Sequence, residues 1–449
     1  MKSKVATFFK TGPKKALLTD SMAIRRLYES KRWSVFISVT LGYAFFYVTR
    51  LSLSVVKKPM LEEGIINTHQ MGIIGSVLLA TYAFGKFFNG FLADGSNIRR
   101  FMSFGLLMSA GLNILFGMTN SFPLYVLIWG LNGWFLSMGS APSVVSLSQW
   151  FSHREMGTRY GIWFISHSIG EGITFAGTSI LVSQMGWRWG FYGPGVVSVL
   201  VAFILFRTLA DRPRTYGLPS VADYKKDHVS KKPTKQEMTS LLKMQLEIFK
   251  YPVVWILGLA SALTYVSRYA VNNWGILYLQ DFKGYSLNEA GAIMSIAPIM
   301  GIPGGILCGV ISDRFFKSSR NWPTLVYGIL QILSLVVFFY AKAGRSVDMI
   351  SMGVFGISVA GTVVFLGGLT AVDLCPKRVT GAVMGFIGLF SYLGASIQDY
   401  ITGYLLDVHK IVIHGKTVPD FNFVIVFWVG ASLLSMILAC SVWNAKPQE

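Results

Sequence analysis

Arg50, Lys86 and Arg268 each interrupt a long apolar run. A cation in hydrocarbon is expensive, so residues of this kind usually face a cavity and serve a purpose there. Three cations without matching acids predict a site for a multiply charged anion. Around the first, the chain reads Gly42-Tyr-Ala-Phe-Phe-Tyr-Val-Thr-Arg50, which sets Tyr43, Tyr47 and Arg50 at i, i+4 and i+7 on one helical face. Around the third it reads Ser261-Ala-Leu-Thr-Tyr265-Val-Ser-Arg268, which sets Tyr265 one turn before the arginine. A guanidinium presents a planar fork of donors that fits two phosphate oxygens at once. Two forks, each beside a phenol, predict a clamp on one phosphate group.

Lys86, in Tyr82-Ala-Phe-Gly-Lys86, offers a third charge. It stands roughly 12 Å of helix before Asp94, too far for easy snorkelling to an interface. His167 has Glu171 at i+4. The two predict either a structural pair or a hydrogen-bonding, protonatable element near the substrate. Asp399 is a weaker candidate, expected near the outer mouth. Asp94, Asp313 and Arg314 lie at short basic loops and are expected to make contacts that hold and release a conformation. No phosphate-cradling Gly-Lys-Ser/Thr loop and no nucleophile constellation is found, so chemistry on the substrate is not expected. Cys308, Cys375 and Cys440 have no metal or disulfide spacing. No cofactor or metal is expected.

The elements that must position these residues are membrane helices. Hydrophobic residues make up 53% of the 449 and charged ones 14%, against roughly a quarter charged in soluble domains. Twelve apolar runs long enough to span ~30 Å of hydrocarbon fall at 33–57, 71–93, 101–119, 122–148, 158–182, 187–210, 252–280, 286–311, 323–341, 347–372, 381–406 and 420–443. The net charge of +19 would suit nucleic acid, but its distribution does not. With both termini cytoplasmic, 29 of the 40 Lys and Arg fall inside, 8 outside and 3 within the spans. That is the positive-inside pattern, so the partners are the bilayer and its anionic headgroups, and no nucleic acid. No apolar h-region precedes residue 33, so the first span is expected to direct insertion itself.

The longest polar stretch, 211–251, divides the chain. The predicted organisation is a cytoplasmic segment (1–32), a six-helix bundle (33–210), a cytoplasmic linker (211–251), a second bundle (252–443) and a tail (444–449). The halves repeat one another. Gly90-Phe-Leu-Ala-Asp94 is matched by Gly309-Val-Ile-Ser-Asp313-Arg314, and Arg50 by Arg268 218 residues on. Gly157, Gly161 and Gly170 match Gly381, Gly385 and Gly394, each at an offset of 224. Parallel six-helix repeats resemble the major facilitator fold, whose substrate lies near the midplane between halves. The predicted class is an all-α membrane protein with twelve transmembrane helices in two pseudo-symmetric six-helix bundles.

On these residues the chain resembles the organophosphate:phosphate antiporter family of the major facilitator superfamily, as a divergent member. The motifs are Gly42-Tyr43 through Tyr47 to Arg50, Tyr82 to Lys86, Trp163 to His167, Arg212-Pro with Tyr216-Gly-Leu-Pro219, Tyr265 to Arg268 with Trp274, Gly301-Ile-Pro-Gly304, and Ser391-Tyr-Leu-Gly-Ala-Ser396. The resemblance implies that Arg50 and Arg268 bind phosphate, with Lys86 and His167 in support. Asp94-Gly95 is more similar to the hexose-phosphate branch. Leu51 stands where the family usually has lysine, Asn273 where it has aspartate, Pro298 where it has glutamate and Phe164 where it has asparagine. The first three remove one positive and two negative charges together, as deletion of a single buried ion cluster would. Glu171 stands where the family has glycine.

The implied function is exchange of an organophosphate, a hexose phosphate above all, for inorganic phosphate by alternating access in a bacterial inner membrane. Trp163, Tyr392, Asn272 and Asn273 are expected to discriminate among sugars, and the protein is expected to be monomeric. Two other readings stay open: a proton-coupled organic-anion symporter using Glu171 and His167, and a membrane sensor of hexose phosphate.

Overall fold

In hydrocarbon every backbone N–H and C=O must be satisfied within its own segment, which leaves an apolar run the helix. The computed structural model describes residues 8–226, 247–316, 320–370, 374, 380–413 and 416–443. The first half comprises α1 (Ser21–Glu62), α2 (Thr68–Gly95), α3 (Ile98–Met118), α4 (Phe122–Leu136 with Ser140–Trp150), α5 (His153–Ile173 continuing to Ser179–Met185) and α6 (Trp189–Thr208). The second comprises α7 (Pro252–Asp281), α8 (Leu287–Phe315), α9 (Asn321–Tyr340), α10 (Arg345–Val364, closing in a π turn at Phe365–Leu369), α11 (Thr380–Val408) and α12 (Asn422–Ser441). Nine of the described helices are each long and apolar enough to cross a membrane. The other three passages are α4, α5 and α11.

Besides α10 with its π turn, two helices differ from the even runs that the sequence predicts. Helix α4 is broken into Phe122–Leu136 and Ser140–Trp150. The turn places Gly139 against the Phe46 ring, where a Cβ would come within 2.9 Å. Helix α5 runs His153–Ile173, passes through a π turn at Thr174–Thr178 and ends as Ser179–Met185. Helix α1 starts well ahead of the apolar run expected from residue 33. Asp20 caps it by accepting from the Met22 amide, and the buried Arg32 pairs with Glu29 at 2.9 Å and Glu155 at 2.6 Å.

Two further features carry no apolar periodicity. A short antiparallel hairpin, β1 (Lys410–Ile413) with β2 (Lys416–Pro419), joins α11 to α12 with Ile411 opposite Val418. The segment before α1, expected as a cytoplasmic leader, is a strap. Phe9 packs edge-on against Phe101 and Phe104, Thr11 donates to Asp211 at 2.7 Å, and the Lys15 and Leu18 amides donate to the Arg214 and Gly217 carbonyls.

The repeat appears in atomic contacts. Gly170 leaves no room for a Cβ against the Ala44 carbonyl, and Gly394 holds the same relation to Ala262, with 2.6 Å available. Ala44 and Ala262 are 218 apart, as are Arg50 and Arg268. In each half, then, a glycine seats one helix on the helix that carries the arginine.

The halves meet along α2 and α11, α5 and α8, and α1 and α7. The seal lies at the face away from the termini. There Lys58 pairs with Asp281 at 2.7 Å, Thr68 donates to Asp407, Ser76 meets Ser396 at 2.9 Å, and Gly72 rides on the Asp399 and Gly403 backbone. Along α2 and α11 the contacts pass through Tyr82 and Tyr392, 4.7 Å apart, to Lys86 beside Gly388. Further toward the termini, a Cβ added at Gly157, Gly161 or Gly385 would meet open space. The halves are therefore closed at one face and parted at the terminus-bearing face.

Candidate functional site

Arg50 projects from α1 into a cage of phenols. Its guanidinium carbon lies 5.5 Å from the Tyr47 ring centre, 4.5 Å from Tyr82, 5.2 Å from Tyr269 and 5.3 Å from Tyr392. Two of these rings belong to each half. Nη2 donates to the Tyr269 hydroxyl at 2.7 Å. Aromatic faces carry negative potential and attract a cation most strongly where water is excluded. Only 5% of the residue is exposed.

Arg268 stands on α7 at the same level. Its guanidinium carbon is 5.8 Å from the Tyr265 ring centre and 5.9 Å from that of Tyr269. The shared Tyr269 ring places the two guanidinium carbons no more than about 11 Å apart. Nη2 of Arg268 also meets Oε1 of Glu171, from α5 of the other half, at 3.2 Å. Glu171 therefore takes Arg268 as its partner. Among the described residues it makes no bond to His167, so the intrahelical pair considered from the sequence is not formed.

Lys86 is exposed to the opening, with Nζ 5.3 Å from the Tyr392 ring centre. Tyr392 thus lies between Lys86 and Arg50, and stacks edge-on with Tyr265 at 5.4 Å. His167 lies one turn before Glu171, its ring 5.7 Å from Tyr47 and its Nδ1 against the Phe164 carbonyl. Trp163 stacks on Tyr43 at 4.9 Å, and its buried Nε1 has no partner among the described residues. Tyr43 packs edge-on against Tyr47. The structure thus brings Arg50, Arg268, Lys86, His167, Trp163, Tyr43, Tyr47, Tyr265 and Tyr392 together. It adds Tyr269, absent from the sequence candidates, and Tyr82, which the sequence shows only as part of the Lys86 motif. Tyr269 was within reach, being i+4 from Tyr265 on a face already singled out.

About two helical turns beyond Arg50 on α1, toward the sealed face, lies a second charge cluster. The sequence marks Arg50, Lys86 and Arg268 as intramembrane cations; Lys57 on α1 is a fourth, 2% exposed, with Nζ 3.2 Å from the Trp274 ring centre. Among the described residues that ammonium has no hydrogen-bond acceptor. Asp399 on α11 accepts from Trp274 Nε1 at 2.6 Å and from Asn273 Nδ2 at 2.9 Å. Lys57, Asp399, Asn273, Arg50 and Tyr269 line one small cavity. Asn273 is thus engaged with Asp399 rather than turned to the tyrosine cage. Asn272 is buried beside it, Leu51 is buried on α1, and Pro298 lies inside α8. Leu51, Asn273 and Pro298 carry no charge, and the buried groups of opposite sign here are Lys57 and Asp399, which line the same cavity.

Asp94 and Arg314 are exposed at the terminus-bearing face. The Asp94 carbonyl accepts from Arg212, a contact within the first half and its following segment. The Asp313 side chain and Cys375 lie outside the described residues.

The family model described as Major Facilitator Superfamily matches residues 39–398. The chain is 32% identical to the "Probable hexose phosphate transport protein" of Chlamydia muridarum, over 96% of this chain and 95% of that protein. It is 30% identical to the "Glycerol-3-phosphate transporter" of Bacillus subtilis, over 97% of each. It is 31% identical to the "Membrane sensor protein UhpC" of Salmonella typhimurium, over 90% of this chain and 91% of that one. Among solved structures, a bacterial homolog of the human lysosomal transporter Spinster, in an inward-facing and unoccupied conformation, matches with a TM-score of 0.72 at 16% identity, over 93% of this chain and 98% of that one.

Proposed function

The chain belongs to the Major Facilitator Superfamily, and from that premise we propose that it exchanges a phosphate ester, a hexose phosphate in the first place, for inorganic phosphate. One observation carries this reading. Arg50 and Arg268, from opposite halves, flank one tyrosine ring at a level where the halves still touch. A phosphate dianion between them is gripped from both sides by charge-assisted hydrogen bonds, with Lys86 at the open side. The aromatic walls suit the apolar faces of a sugar, and the phenols its hydroxyls. The relatives that carry hexose phosphate and glycerol 3-phosphate by name support the ester class.

Switching follows from electrostatics. A dry site holding bare cations is costly, and bound phosphate supplies the missing anion as the halves close over it. Alternating access brings the site from the open face to the sealed one. The excess of Lys and Arg on one side supports a cytoplasmic place for both termini, and so for the open face, in a bacterial inner membrane. The carrier works as a monomer, because each monomer contains both arginines.

The test is a panel of unlabelled phosphate esters competing against labelled phosphate in proteoliposomes. Hexose phosphates are expected to compete best, and uptake is expected to follow internal phosphate and ignore a pH gradient. Uptake that follows the pH gradient instead identifies a proton-coupled symporter using Glu171 and His167. The sensor relative supports a second reading, a membrane receptor for hexose phosphate. Saturable binding without turnover identifies that role.

A further inference from the structure

Glu171 and Arg268 join the two halves through a shielded ion pair at the level of the proposed phosphate site. We propose, resting on the exchange reading above, that Glu171 is a tethered stand-in for phosphate. Its carboxylate occupies Arg268 when no ester is bound and allows the empty carrier to reorient. The activity this adds is net, one-way flux of phosphate or its ester alongside exchange.

Closing an empty site is costly. A cation that loses water and gains no partner opposes closure, which is why such carriers cross loaded. Each of the three cations here has its own relief. Lys86 is exposed at the opening, with the Tyr392 ring centre 5.3 Å from its Nζ. Arg50 is wrapped by four aromatic rings and donates to Tyr269. Arg268 is the one given a carboxylate, and that carboxylate comes from the opposite half, as a bound phosphate would bridge the halves. Its placement is built into the packing: Gly170, the residue before Glu171, seats α5 directly on the Ala44 backbone of α1. His167, one turn away, leaves the carboxylate to Arg268.

The same geometry sets a cost for the substrate. Phosphate must displace Glu171 before it takes Arg268, so apparent affinity falls by the fraction of time that Arg268 is free. Removing the carboxylate is therefore expected to tighten phosphate binding and to stop empty return, two changes of opposite sense that loss of structure does not produce together.

The experiment uses the full-length protein in proteoliposomes loaded with labelled inorganic phosphate. Efflux is measured into phosphate-free medium and into medium with saturating phosphate. The wild type is expected to show net efflux within about tenfold of exchange. Glu171→Gln is expected to lower net efflux about tenfold or more, while exchange persists with an apparent affinity for phosphate about tenfold tighter. Glu171→Asp, which keeps the charge on a shorter arm, is expected to retain net efflux. Net efflux in the wild type below a hundredth of exchange overturns the proposal, even if the Gln variant fails to fold. So does net efflux in Glu171→Gln equal to wild type, or a parallel loss of both fluxes without a gain in affinity. Absence of all exchange in the wild type strikes the exchange reading instead. In that case phosphate-induced thermal stabilisation decides: a shift no larger in Glu171→Gln than in wild type overturns the stand-in.

Discussion

The Arg50 guanidinium donates to the Tyr269 hydroxyl at 2.7 Å, across the boundary between the halves. The strongest contact of the first arginine is thus made with the helix that carries the second. A planar fork can hold this phenol on one edge and a phosphate oxygen on another, whereas an ammonium cannot present both in fixed geometry. Arg50→Lys and Arg268→Lys are each expected to lower phosphate exchange about 100-fold, the loss of one or two charge-assisted hydrogen bonds. Initial rates in proteoliposomes check this; near-normal exchange in either variant removes the clamp.

The sealed face is held by small residues and hydroxyls, with Ser76 and Ser396 at 2.9 Å. That separation brings two sulfurs within bonding reach. In a background without native cysteines, Ser76→Cys with Ser396→Cys is expected to cross-link under mild oxidation and abolish uptake, with recovery on reduction. Gel mobility and transport on the same sample check both halves of the expectation.

Lys57 and Asp399 share one cavity and come from opposite halves. Removing one charge leaves the other buried and uncompensated. Asp399→Asn or Lys57→Met alone is expected to destabilise the protein by about 3 kcal/mol, and the double variant by clearly less than the sum. Thermal unfolding in detergent gives the cycle; strict additivity means that the two charges do not sense each other.

Glu155 lies at the terminus-bearing end, ahead of the apolar run that begins at residue 158. Burial raises its carboxyl pKa, but hydrogen bonds from Arg32 and Ser152 outweigh that and hold it at about 2. The unfolded value is about 4.3. A carboxyl depressed on folding contributes stability above its unfolded pKa and loses it as pH falls toward the folded value. The wild type is expected to lose thermal stability between pH about 4 and about 2 more steeply than Glu155→Gln; superimposable profiles refute this.

What the sequence made legible follows from the cost of charge in hydrocarbon. Twelve apolar runs could only be helices, and Arg50, Lys86 and Arg268 stood out because each sat deep within one. Lys57 escaped because it closes the first run, where a lysine ordinarily reaches the interface, whereas here Trp274 covers it. Glu171 was visible as an acid one turn from His167. Its true partner lies on another helix in another half, and no local spacing encodes that meeting. The break in α4 falls at Gly139-Ser-Ala-Pro142, where the proline has no N–H to donate to the Met138 carbonyl, a local signal inside an otherwise even apolar run. The hairpin is too short to show alternation against its surroundings.

The strap before α1 bears on how the carrier moves. Phe9 holds the head of α3, Thr11 holds Asp211, and the chain after α6 returns to stack Tyr224 flat on Tyr28 at 4.0 Å, with Lys225 beside Glu29. Beginning, middle and exit of the first bundle are thereby stitched into one piece. A fluorescent donor placed on this stitch, paired with an acceptor on α12, would read out the tilt of the whole bundle rather than the wandering of a loose end.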